Sequence, residues 1–274
     1  MLTRIIPCSG EEMPVIGLGT WKTFDTSDHT KYPQLRSVLE AMHEAGGRVI
    51  DTSPMYKLSE QVIGEVTVEM PEQEDFFYAT KVWTTGKEEG IEQMERSMSL
   101  LKRTTLDLIQ IHNLVDWKTH LKTLRKWKEE GRIRYLGITH YTDDSHEMLE
   151  SVLREESFDF VQFNYSATAR HAEERLLPFC ADNGIATIIN RPFGEGRLFT
   201  KLKNVPLPDW IKQAGINSWA DFSLRYIISH PAVTCVIPAT DKPHHASSNA
   251  LTATGKLPDE SLRKKMRAYI DSVA

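Results

Sequence analysis

Arg48-Val49-Ile50-Asp51-Thr52-Ser53-Pro54-Met55-Tyr56 is an apolar, β-rich run that stops on an aspartate, with a tyrosine five residues later. The next such run, Phe76-Phe77-Tyr78-Ala79-Thr80-Lys81, stops on a lysine. The one after it, Leu106-Asp107-Leu108-Ile109-Gln110-Ile111-His112, stops on a histidine. Burying an ionisable group is costly unless the group is paired or put to use. Three consecutive strand candidates that each deliver one at the carboxyl end therefore predict a shared active site.

Outward from this stretch the same rhythm continues. Strand candidates are Val15–Gly19, Arg48–Thr52, Phe76–Val82, Leu106–His112, Ile133–Thr139, Phe160–Tyr165, Ala186–Pro192 and Thr234–Pro238. Most are separated by amphipathic helical segments, at a spacing of roughly thirty residues, the βαβ pattern. Their unbroken apolar character predicts strands covered on both faces, as in a parallel sheet. Ile91, Met94, Met98 and Leu101 recur at helical spacing, as do Leu121 and Leu124 in a helix closed by Gly131. Glu147–Leu153 and Glu173–Cys180 supply two further helices, and the longer gap before the last strand predicts two more, from near Asp209 and from Ser218. Asp259 is placed to cap a terminal helix through Met266 and Ile270. Residues 1–14 read as a short hairpin turning at Ser9-Gly10-Glu11-Glu12.

Eight strands, each followed by helix, predict an α/β (β/α)8 TIM barrel over residues 1–274 as a single domain, with extra helices before the eighth strand and at the C-terminus. An open doubly wound sheet is the competitor, but no G-x-G-x-x-G follows any strand candidate. Apolar residues make up 40% and the net charge is −5, which leaves enough core for a barrel and no basic footprint for nucleic acid or a membrane surface. The cysteines are Cys8, Cys180 and Cys235, too few and too scattered for a disulfide framework. With no signal-peptide pattern at the N-terminus, a reducing cytoplasm is expected.

In such a barrel the carboxyl ends of the strands form one face. Asp51, Lys81 and His112 would meet there, with Tyr56 reaching in from the loop after the second strand. A lysine beside the tyrosine is expected to lower its pKa by charge. Tyr56 then acts as proton donor to a carbonyl oxygen, Asp51 balances Lys81, and His112 orients the carbonyl by hydrogen bonding. The group holds no evident nucleophile and no metal set. Carbonyl reduction by a hydride donor fits it better than hydrolysis.

The chain resembles the aldo-keto reductase family. The resemblance rests on Gly17-Leu18-Gly19-Thr20-Trp21, on Ile50-Asp51-Thr52-Ser53-x-x-Tyr56 with Glu60 and Ile63-Gly64, on Thr80-Lys81-Val82-Trp83, and on Ile111-His112. Arg132–Ile138, Val161–Tyr165 and Val236–Thr240 match further. It implies a (β/α)8 barrel that reduces aldehydes or ketones with NADPH and no Rossmann motif. Tyr56, Asp51, Lys81 and His112 are the implied catalytic set, and Trp21, Trp83 and His112 the implied lining of the substrate pocket. Gly19, Thr20, Trp21, Asp51 and Gln162 fall at implied cofactor positions, with Gln162 where a side chain holds the nicotinamide carboxamide.

Several positions depart from the common family pattern. Thr139-His140 stands where a Ser-Asn pair usually grips the carboxamide. Asn190-Arg191-Pro192-Phe193 stands where an aromatic residue usually stacks on the nicotinamide, and Arg191 is open to stacking on a ring or to meeting the pyrophosphate. At the adenosine 2′-phosphate, Ala239 replaces the usual base, leaving Thr240, Lys242, His245 and Asn249 to hold it. NADPH is the expected cofactor, with NADH possible. These departures motivate an alternative from another class, a nicotinamide-sensing regulatory subunit with residual reductase activity. A third, a lyase using Lys81 as a Schiff base, needs a free amine there. The chain ends soon after its terminal helix, so an open substrate pocket is expected. No metal ligand pattern is present.

Overall fold

Alternation along the strands organises the structure, a computed structural model that describes residues 1–274. Eight parallel strands follow a two-stranded antiparallel hairpin, β1 (Thr3–Ile5) with β2 (Glu12–Pro14). They are β3 (Leu18–Gly19), β4 (Val49–Asp51), β5 (Phe77–Val82) and β6 (Leu106–His112), then β7 (Ile133–Thr139), β8 (Phe160–Asn164), β9 (Ala186–Asn190) and β10 (Cys235–Val236). Each pairs with its sequence neighbours. Parallel bridges from Ile16 to Val236 and from Gly19 to Ala239 close the ring, reinforced by the Gly17 N–H donating to the Val236 carbonyl at 2.9 Å. The expected barrel is present, and each expected strand is there, most of them shorter than the apolar run that announced it.

Two cores result. The larger lies between the strands and the surrounding helices, which bury Val62, Met94, Leu121, Leu149 and Leu177, among others, against the barrel wall. The smaller fills the lower half of the barrel interior with Val49, Phe77, Leu108, Tyr135, Phe160, Ile188 and Cys235, and the hairpin plugs its base with Ile6 and Met13. Side chains along a strand alternate between faces. The inward stripe of β5 therefore reads Phe77, Ala79, Lys81, that of β6 Leu108, Gln110, His112, and that of β8 Phe160, Gln162, Asn164. Each begins apolar at the bottom and ends polar at the top, so these three strands carry their chemistry to the same rim.

Three details differ from the expectation. The hairpin turns two residues earlier, over Pro7-Cys8-Ser9-Gly10, because Gly10 takes the left-handed φ of 77° that closes the Ile6 carbonyl onto the Ser9 and Gly10 N–H groups; Glu12 belongs to β2. The helix expected from Glu173 starts at Leu176, after a separate 3₁₀ turn, His171–Glu173. The Glu173 carboxylate is held there by the hydroxyls of Tyr165 and Tyr226 and by Arg263 of the terminal helix. The gap before β10 holds three helices, Arg197–Lys201, Asp209–Gln213 and Trp219–Ile228, instead of two. Ser218 and Asp259 do cap their helices, accepting from the N–H groups of Asp221 and Leu262.

The helix Ser59–Thr67, which follows the loop carrying Tyr56, crosses the end of the helix Lys87–Leu100 at Gly64. A Cβ at Gly64 would run into the Leu100 carbonyl, so backbone meets backbone there. Gly64→Ala is expected to cost about 1–3 kcal/mol by overpacking. A urea titration checks this: the midpoint falls with no change in slope, and an unchanged midpoint would show that the two helices separate freely.

Candidate active site

The strand register brings the expected residues together. Asp51 ends β4, Lys81 is the penultimate residue of β5, and His112 ends β6. Lys81 is fully buried and donates to Asp51 Oδ2 at 2.7 Å and to the Thr52 carbonyl at 2.8 Å. Burial works against its charge, but Asp51 and the Tyr56 oxygen outweigh that and hold its pKa above the usual lysine value. Asp51 Oδ1 accepts from two amides, Gln162 Nε2 at 2.8 Å and Gln110 Nε2 at 3.2 Å. Thr20 donates its hydroxyl to the Asp51 carbonyl at 2.9 Å. Every acceptor of the carboxylate is thus occupied from inside the barrel. Gln110 was not singled out by sequence; only its place on the inward stripe, level with Lys81, marks it.

Tyr56 enters on a single 3₁₀ turn, Pro54–Tyr56, which Ser53 caps by accepting from the Met55 N–H at 3.2 Å. The centre of its ring lies 5.2 Å from the Lys81 ammonium. Burial pushes the phenol pKa above its ordinary value, and Lys81 only partly opposes this. The expected lowering is therefore reversed in sign, because loss of hydration costs the phenolate more than one neighbouring cation returns. The phenol stays protonated at neutral pH.

His112 meets Tyr56 edge-on, with ring centres 6.2 Å apart, and Trp83 tilts toward it at 6.3 Å. Burial, aided by the charges of Lys81 and His140, drops its pKa to about 3, so it is neutral. Its Nδ1 is 3.1 Å from the buried Ser53 hydroxyl. Trp83 is 42% exposed and Met55 39%, and Trp21 is half-buried with the Lys22 ammonium 4.0 Å above its ring. Of the three, Trp83 stands against His112.

The remaining expected positions fall along the next strand ends. Thr139, Gln162 and Asn190 form one chain of bonds: Thr139 Oγ1 and Asn190 Nδ2 both donate to Gln162 Oε1, at 3.2 and 3.4 Å, and Asn190 Nδ2 also reaches the His140 carbonyl at 2.9 Å. Asn190 Oδ1 is buried without a partner. Arg191 is engaged by protein: its guanidinium lies 4.3 Å over the Tyr141 ring and pairs with Glu195 at 2.5 Å. Phe193 packs on Phe199 and the core, and the Pro192 carbonyl accepts from Ser223.

Beside them runs a groove of about 420 Å³, bordered by Tyr141, Asn164, Ser166, Arg191, Arg197 and Lys201. Arg197 and Lys201 were not flagged in the sequence; the glycine-flanked Gly194-Glu195-Gly196, with left-handed φ at all three residues, is the signal that the chain folds back tightly here. Thr240 is buried and accepts from the Lys242 N–H at 3.1 Å. Lys242 and His245 are exposed at the first turn of the helix Pro243–Leu251, which also carries the buried Asn249.

The depressed pKa of His112 makes a prediction about stability. The unfolded chain takes up a proton near pH 6.5 that the folded site refuses until about pH 3, so stability is full above 6.5 and falls as the pH drops between those values. One such site contributes a slope of up to about 1.4 kcal/mol per pH unit. Urea titrations at pH 6, 5 and 4 should show a shallower loss in His112→Gln than in the parent; equal slopes would mean that His112 protonates freely.

Residues 15–270 match the model of the aldo/keto reductase family. The uncharacterized oxidoreductase YtbE of Bacillus subtilis is 29% identical over 266 residues, 93% of this chain and 89% of that one. The 9,11-endoperoxide prostaglandin H2 reductase of Trypanosoma cruzi is 28% identical, covering 92% of this chain and 86% of its own. Among solved structures, an aldo/keto reductase from Klebsiella pneumoniae in complex with NADP and acetate superposes with a TM-score of 0.83 at 23% identity, over 97% of this chain and 94% of that one. The barrel, its closure and the match over almost its whole length agree: the chain belongs to the aldo/keto reductase family.

Proposed function

We propose that this protein reduces aldehydes or ketones to alcohols with a nicotinamide dinucleotide, NADPH before NADH, and runs the reverse oxidation under the opposite concentrations. The observation that carries this is the buried Lys81–Asp51 pair, its ammonium 5.2 Å from the ring centre of Tyr56, beside a neutral histidine. The family assignment supports it, as do relatives described as reductases. A related protein of Escherichia coli, 28% identical over 216 residues, is described as an NADH-specific methylglyoxal reductase, so the second coenzyme form stays within reach.

The residues present fit the coenzyme. The orphaned Asn190 Oδ1 is a buried acceptor that an amide N–H₂ would satisfy, next to the Gln162 and Thr139 side chains. The groove with Arg197 and Lys201 offers cations to a pyrophosphate, and Lys242 and His245 at a helix N-terminus suit a 2′-phosphate. When bound, the coenzyme supplies hydride to the carbonyl carbon. Tyr56 delivers the proton to the carbonyl oxygen, and Lys81 steadies the phenolate left behind. Asp51 keeps Lys81 charged, and His112 donates a hydrogen bond that aligns the carbonyl and polarises it. Lys81 has no free amine to offer as a Schiff base, since its charged form is the favoured one. The exposed Trp83 ring beside His112 suits a carbonyl with an apolar flank. The three unpaired thiols agree with a reducing compartment such as the cytoplasm.

Two experiments test this reading. Tyr56→Phe is expected to lower kcat on a simple aromatic aldehyde by about 10²–10⁴-fold, with NADPH binding, followed by tryptophan quenching, changed little. Retained turnover would remove Tyr56 as donor. Lys242→Ala should weaken NADPH by about tenfold, the worth of one charge-assisted contact, and leave NADH unmoved; equal losses for both would place the 2′-phosphate elsewhere.

A further inference from the structure

His112 is the group whose hydrogen bond must point at the substrate, and a neutral imidazole has only one N–H to give. The side chain that touches its other nitrogen is Ser53. We propose that Ser53 is a positioning residue that fixes the tautomer of His112, donating to Nδ1 so that Nε2 bears the hydrogen and presents it to the substrate carbonyl. This deepens the reductase reading and rests on it for its catalytic meaning.

The polarity follows from counting hydrogens. The Ser53 hydroxyl is buried and sits in two hydrogen bonds, from the Met55 N–H at 3.2 Å and with His112 Nδ1 at 3.1 Å. A backbone N–H can only donate, so Ser53 accepts there. Nδ1 is then the sole acceptor within reach of the hydroxyl hydrogen. Were Nδ1 protonated, that hydrogen would be buried with no acceptor, which folded interiors rarely tolerate. His112 Nε2, by contrast, has no protein partner and is not among the polar atoms sealed from solvent. The rings of Tyr56 and Trp83 stand beside the imidazole. One residue thus does two jobs: it caps the turn that carries the proton donor, and it sets which nitrogen of the histidine can donate.

The test reads the tautomer directly. Long-range ¹H–¹⁵N correlation spectra of the resting protein, with the His112 signals identified by their loss in His112→Gln, should show a protonated Nε2 and a bare Nδ1. Ser53→Ala should leave a mixture of tautomers and lower kcat by about tenfold or more, as expected when a transition-state donor is misdirected. Ser53→Asp can still accept from the Met55 N–H but has no hydrogen for Nδ1; it should move the proton to Nδ1 and lose activity as Ser53→Ala does. Ser53→Thr, whose β-branched side chain suits the extended backbone at this position, should restore both the spectrum and the rate. Coenzyme binding by tryptophan quenching reports that each variant keeps its fold. A protonated Nδ1 in the parent protein, or an unchanged tautomer and rate in Ser53→Ala, would overturn the proposal. The spectrum needs no substrate, so it stands or falls separately from the turnover of Tyr56→Phe.

Discussion

The ion pair between Lys81 and Asp51 is the constraint from which the rest of the site follows. A lysine with no exposure to water is tolerable only if its charge is answered at contact distance, and here a carboxylate at 2.7 Å and a backbone carbonyl at 2.8 Å do so. The carboxylate in turn needs its other oxygen occupied, and the two amides of Gln110 and Gln162 occupy it. Their positions follow from the barrel, because residues at that height on β6 and β8 face inward at the same level. The pair therefore fixes a small network across the closed sheet, and Tyr56 and His112 stand on top of it.

Burial also tunes the two groups that would meet a substrate, in directions that suit them. It keeps the Tyr56 phenol protonated, which a donor requires, and it keeps His112 neutral, which makes the choice of nitrogen matter. Lys81 opposes the first effect and adds to the second, and burial outweighs it in both. Gln162 links Asp51 to the cluster of Thr139 and Asn190 through opposite ends of one side chain, its Nε2 on the carboxylate and its Oε1 on the other two.

Much of this was legible from the residues in order. Asp51, Lys81 and His112 each close an apolar run, and a parallel barrel leaves such ends only one place to go. Ser218 and Asp259 announced their helices because a cap is a local hydrogen bond. The misses share a cause. Gln110 sits within a run that is apolar on both sides, so nothing local says which neighbours it faces. Arg197 and Lys201 look like ordinary surface cations until the left-handed turn at Gly194–Gly196 folds them over the groove. The sign of the Tyr56 shift was missed because proximity of a charge can be guessed from sequence, whereas the extent of desolvation cannot.

By itself the order of amino acids determined the strand rhythm, the closed α/β class and the three ionisable groups at the strand ends, since these depend on periodicity and on the cost of burying charge. Tertiary structure alone decided who pairs with whom: Gln110 and Gln162 on a single carboxylate oxygen, Arg191 on Tyr141, Ser53 on His112. Those contacts join residues up to 111 positions apart, and only the stagger of neighbouring strands sets which side chains share a level.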